Sequence, residues 1–179
     1  SELVALFGRR RVGKTFLVDE VFREETVFKH TGINGDELSK LGIRNKTRYQ
    51  INAFCASMMA RGFRTNKKPS NWLDAFLMLI NYLEGLNKGE RKVIFIDELP
   101  WLDTPRSDFM PAFSWFWNNY AVNNRDLMVI VCGSSMYRTL SAICSAVVVF
   151  PHHFGPSIKT APFPSSLRLR ISSAILFRY

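Results

Sequence analysis

Apolar residues fall along this chain in two kinds of run. Residues 2–7 ("ELVALF"), 92–96 ("KVIFI") and 127–132 ("LMVIVC") are short and almost without alternation, the pattern of strands covered on both faces. Residues 27–29 give a further short strand, closed by "HTG". Between these runs the spacing turns helical. Phe16, Leu17 and Val21 mark a helix over 14–22, and Ile51, Phe54, Cys55, Met58 and Met59 recur at i, i+3, i+4, i+7 and i+8 up to Gly62. Thr47 and Gln50 stand at capping-box spacing before that second helix. Ser70 is the expected cap of a third helix, with Trp72, Phe76, Ile80 and Leu83 as its buried stripe before Gly85, and Phe113, Phe116, Trp117 and Tyr120 share one face of a fourth. That aromatic face has the spacing of core packing rather than of a base-stacking platform. Residues 33–48 are polar and poorly periodic, so no element is expected before residue 47. Strands alternating with helices predict an α/β fold, a three-layer sandwich around a parallel central sheet.

The breaks between elements carry the chemistry. Gly8, Arg9, Arg10, Arg11, Val12, Gly13, Lys14 and Thr15 read "GRRRVGKT", the phosphate-binding pattern GxxxxGK followed by Ser or Thr, placed between a strand and a helix as that pattern requires. Its glycines let consecutive backbone N–H groups face a phosphate, and the helix starting near Lys14 adds its positive end. Lys14 is expected on the β- and γ-phosphates, and the Thr15 hydroxyl on Mg2+. The second break is "VIFIDE", residues 93–98. Asp97 leaves the carboxyl end of a buried strand, the edge where parallel sheets bind ligands, and is the expected second holder of Mg2+. Glu98 is placed to accept a proton from a water attacking the γ-phosphate. The pair also separates subclasses: a GTPase needs NKxD after the second motif, whereas "NKGE" at 87–90 precedes it. ATP is the expected nucleotide. A small-molecule kinase is the competing enzyme class, and it has no need of an adjacent catalytic glutamate.

Charge changes this picture less than the total suggests. The net charge is +9, which invites a nucleic-acid partner, yet residues 127–179 hold 5 Lys and Arg and no carboxylate, over half of the excess. Nucleic acid is one candidate partner beside a protein or a second copy of the chain. The three cysteines, Cys55, Cys132 and Cys144, have no metal-ligand spacing and read as reduced thiols packed in the core. His152 and His153 are adjacent in sequence and cannot serve together as ligands from one helix face. No apolar stretch reaches the 18 or so residues of a membrane span and none has the form of a signal peptide, so a cytoplasmic protein is expected, without a membrane partner. Because the chain starts at Ser1, it is expected to be trimmed or partial.

The stretches "LFGRRRVGKT", "VIFIDELPWLDTPRS" and "VIVCGSS" resemble the P-loop ATPases of the archaeal-ATPase branch of the AAA-type superfamily, over roughly residues 3–135. The resemblance implies a Mg-dependent ATPase whose hydrolysis drives or times a conformational change; a nucleotide-gated binding module with little turnover is the alternative. It places Ser134 at the sensor-1 position near the γ-phosphate, a third catalytic residue beside Lys14 and Glu98. Arg106 in "DTPRS", like Arg9–Arg11, is a candidate for stabilising phosphoryl charge. It further implies a last strand and a helical lid beyond the sensor strand. Here the likeness ends near Met136, so the expected organisation is an ATPase core over 1–136 and an atypical basic tail over 137–179. Residues 146–150 are either the fifth strand of the sheet or part of a segment read in a shifted frame. Beyond Pro151 the serines, prolines and scattered apolar residues predict loop or disorder.

Overall fold

The structure is a computed structural model, and it describes residues 1–8, 13–87, 89–133, 146–150 and 157–159, the last two segments and Phe7 by backbone alone. Strands β1 (Glu2–Gly8), β2 (Thr26–Thr31), β3 (Lys92–Asp97), β4 (Leu127–Gly133), β5 (Ala146–Phe150) and β6 (Ser157–Lys159) form one sheet in the order β2-β3-β4-β1-β5-β6. β1 to β5 are parallel and β6 is antiparallel to β5. The helices are α1 (Lys14–Val21), α2 (Gly35–Lys40), α3 (Lys46–Ala60), α4 (Trp72–Glu84) and α5 (Phe109–Asn119). The expected α/β class and parallel central sheet of a P-loop NTPase fold are therefore present, with residues 146–150 as the fifth strand beside β1.

Side chains alternate strictly across the sheet, and both sets are apolar because both faces are covered. Leu3, Ala5, Ile94, Ile96, Val129 and Val131 point into the larger core with α3, α4 and α5. Val4, Leu6, Val93, Phe95, Met128, Ile130 and Cys132 form the smaller one with Val18 and Phe22 of the α1 segment. The large core is aromatic at its centre. Phe76 of α4 meets Phe54 of α3 and Phe109, Phe113 and Phe116 of α5, with ring centroids 5.2–6.0 Å apart. The aromatic face of α5 is thus core, as its spacing predicts.

Four local expectations are corrected. α2 fills part of the polar stretch: Asn34 caps it by accepting from Asp36 N, Asp36 and Glu37 favour its first turn, and only Leu38 is buried, too little for a periodic signal. The cap of α3 is Asn45, which accepts from Arg48 N, while Gln50 is fully buried elsewhere instead of closing a box with Thr47. The cap of α4 is Asn71 rather than Ser70; its side chain accepts from Asp74 N, and Ser70 N donates to Asp74 Oδ2 at 2.9 Å. Residues 157–159 are strand, not loop, because they pair with the outer edge of β5 that would otherwise lie open. Among the described residues no helix is long and apolar enough to cross a membrane, and Cys55 and Cys132 are free thiols.

Candidate active site

Parallel strands bring the carboxyl ends of β1, β3 and β4 to one edge of the sheet, and β4 lies between the other two. Gly13 stands at φ 86, the left-handed conformation that glycine adopts without strain, and starts α1. Lys14 then enters the first turn with only 6 % of its surface exposed, and its Nζ donates to Gly8 O, at the end of β1, at 2.8 Å. Thr15 Oγ1 donates to Asp97 Oδ2 at 2.7 Å. Residues 82 positions apart thus meet as a hydroxyl and a carboxylate, two hard oxygen donors of the kind Mg2+ prefers. Arg9, Arg10, Arg11, Val12 and Ser134 lie outside the described residues. Arg106 is exposed at φ 61 in the turn before α5, and no described contact joins it to Lys14, Thr15, Asp97 or Glu98.

Glu98 occupies a bend built by its neighbours. Its φ of 47 is left-handed, which costs a non-glycine residue roughly 1–3 kcal/mol unless its surroundings impose it. Here they do. Glu98 N donates to Asp97 Oδ1, Trp101 N to Glu98 O and Gly32 N to Asp97 O, each at 2.9 Å. A Cβ on Gly32 would stand 2.5 Å from Glu98 O, and one on Gly133 would stand 2.7 Å from the Pro100 ring. Gln50 supports the bend from inside α3: its Nε2 donates to Trp101 O at 2.9 Å and to Ile33 O at 2.6 Å, and its Oε1 accepts from Ile33 N at 3.2 Å. Thr47 and Thr104 hydroxyls add a contact at 2.6 Å.

Three contributors were not legible as such. Cys132, expected to be simple core, is the last side chain of β4 before Gly133 and lies against Asp97. Burial first, then the Asp97 carboxylate and its hydrogen bond, push the thiol pKa well up, against a smaller opposite effect of Lys14; it stays a protonated donor to that carboxylate. Its place on the Asp97 side of the sheet was readable from strand alternation, given the register. Gln50 was hidden by its capping-box spacing, and Gly32 was legible only as the end of "HTG", not as a neighbour of Glu98. His30, on β2 under α3, is also buried; its Nδ1 meets Ser57 Oγ at 2.9 Å and its ring stands edge-on to Phe54 at 5.2 Å. Burial lowers its pKa to about 4. A separate cleft of about 290 Å3, lined by Glu84, Lys92, Tyr120 and Asn124 among others, opens where β3 and β4 begin, at the other edge of the sheet.

No protein-family model and no curated protein sequence matches the chain. Among solved structures, it is similar to the genome packaging NTPase B204 from Sulfolobus turreted icosahedral virus 2, in complex with ATP-gammaS. The identity is 17 % and the TM-score 0.43, over 98 % of this chain and 82 % of that one.

Proposed function

We propose that this chain binds ATP with Mg2+ at Gly8–Thr15 and hydrolyses it to ADP and phosphate, as an ATPase of the archaeal-ATPase type. The contact of Thr15 Oγ1 with Asp97 Oδ2 at 2.7 Å carries this reading, because it joins the phosphate-binding turn to the acidic strand end in one oxygen-donor site. Bound Mg2+ would supply charge neutralisation at the phosphates. Lys14, whose Nζ rests on Gly8 O, would move from there to a phosphate oxygen. Glu98, on the bend fixed by Gly32 and Trp101, takes the proton of the attacking water. Cys132 holds the Asp97 carboxylate from the sheet side.

The test is a pair of substitutions. Lys14→Ala should abolish ATP binding in calorimetry. Glu98→Gln should bind ATP like the parent and lower turnover by about 10² to 10⁴. Unchanged hydrolysis in Glu98→Gln would remove the base assignment, and unchanged ATP affinity in Lys14→Ala would remove the site.

A further inference from the structure

The cations of the described core are unevenly placed. Residues 38–73 hold eight Lys and Arg and not one Asp or Glu. The fold folds this stretch back on itself. α3 runs over Lys46–Ala60; the chain then turns, with Gly62 N bonded to Met59 O and Phe63 N to Met58 O. The segment 61–69 returns along the helix until Pro69, whose carbonyl accepts from Arg48 Nη1 at 2.6 Å. Arg48 belongs to the first turn of α3. Lys67 and Lys68 therefore come to the end of the helix where Arg44 and Lys46 stand, and Arg61 and Arg64 mark the other end. At 1.5 Å per residue, positions 48 to 60 span about 18 Å.

Arg44, Arg61, Arg64, Lys67 and Lys68 are exposed, and Lys46 and Arg48 half-buried. The described ion pairs are Arg23–Glu20, Lys29–Asp19 and Arg91–Glu2; none draws on this strip. The cations also sit against the local dipole. α3 has no acid in its first turn where Lys46 and Arg48 stand, the reverse of what a helix start favours. α2 shows the favourable arrangement, with Asp36 and Glu37 at its start and Lys40 at its end.

We infer that α3 and the returning segment 61–69 form a docking surface for the phosphodiester backbone of a nucleic acid. An extended strip of cations, drawn from a stretch of chain without a carboxylate and bordered by Asp36 and Asp74, matches a chain of regularly spaced negative charges. A protein partner is a poorer match, since the cores of protein interfaces are depleted in lysine and in charge generally. The long cations address phosphates rather than base edges, so binding is expected to be insensitive to sequence. This surface uses other residues than the nucleotide site, on the outer side of α3, and does not depend on the reading of that site.

The experiment titrates the full chain, without nucleotide, against a 30-base-pair DNA duplex and a 30-nucleotide single strand between 50 and 200 mM salt. With about five phosphate contacts, log affinity for duplex falls with log salt at a slope near −4.5, about 500-fold over that range, and for single strand near −3.5. Arg44→Gln/Lys67→Gln/Lys68→Gln should reduce the magnitude of the duplex slope by about 2.7 and weaken binding at 50 mM by roughly 100-fold. Arg23→Gln/Lys92→Gln/Arg125→Gln removes the same charge elsewhere and should leave both nearly unchanged. Thermal unfolding of both variants confirms folding; if the strip variant fails to unfold cooperatively, Lys67→Gln/Lys68→Gln on the loop replaces it, with a slope change near 1.8. Equal effects of the two triple variants, equal binding to polyglutamate or to anionic lipid vesicles, or no binding at 50 mM would each overturn the proposal. Lys14→Ala should bind DNA like the parent, so loss of the nucleotide reading and loss of this one appear in different measurements.

Discussion

α3 and α4 lie side by side on the same face of the sheet, and their comparison separates structure from function. Both begin at an asparagine whose side chain accepts a backbone N–H. α4 follows the rules of a stable amphipathic helix, with Asp74 in its first turn and Trp72, Ala75, Phe76, Leu79 and Leu83 buried. α3 breaks two of them. Lys46 and Arg48 crowd its positive end, and its buried face gives up an apolar place to Gln50. This helix departs from its own optimum on the inside, toward hydrogen bonds at the Glu98 bend, and on the outside, toward the charge that the proposed phosphate contact would use.

The comparison breaks hardest in the core. Phe76→Ala removes a ring packed against α3 and α5 and should cost about 3–5 kcal/mol in urea unfolding, while leaving the salt slope of DNA binding in the folded protein unchanged. A shift in that slope would mean that α4 contributes to the strip. Next comes pH. His30 under α3 has its pKa lowered from 6.5 to about 4, so the folded state excludes a proton that the unfolded chain accepts. The stability it contributes is complete above pH 6.5 and is lost as pH falls toward 4. Between pH 7 and pH 4 the parent should lose about 3 kcal/mol more than His30→Asn; parallel pH profiles would show that His30 protonates freely in place. The smallest effect is the most direct. Lys46→Glu should stabilise by roughly 0.3–1 kcal/mol while weakening DNA binding, and Asp74→Lys, beside the strip, should destabilise by at least as much without weakening binding. Destabilisation by Lys46→Glu would remove the contrast between the two helix starts.

What the chain disclosed beforehand follows from how local each signal is. The apolar runs of β1, β3 and β4 announce buried strands because burial on both faces leaves no polar position. Lys14, Thr15 and Asp97 were singled out because the proposed turn needs its glycines and the strand end its acid, and Thr15 and Asp97 do meet, at 2.7 Å. The caps were misplaced by one or two residues where two capping-competent residues stand close, Asn45 with Thr47 and Ser70 with Asn71. Gln50 was misread, and Cys132, a buried core thiol as expected, was read without its contact to Asp97, for a different reason: those contacts join partners 51 and 35 positions apart, Gln50 with Trp101 and Cys132 with Asp97. Periodicity cannot report such contacts.

The two glycines pressed against the Glu98 bend extend this point to heredity. The turn carrying the proposed base takes its shape from Gly32, 66 positions earlier, and Gly133, 35 positions later, where a single added carbon would stand 2.5 Å from a backbone oxygen or 2.7 Å from a rigid ring. A mutation to alanine at either position would leave every residue of the proposed phosphate site untouched and still deny the bend its place. A chain that keeps the Asp-Glu pair but carries a side chain at either glycine must therefore route this turn differently, so kinship to this site is better judged by two silent glycines than by the acid pair alone.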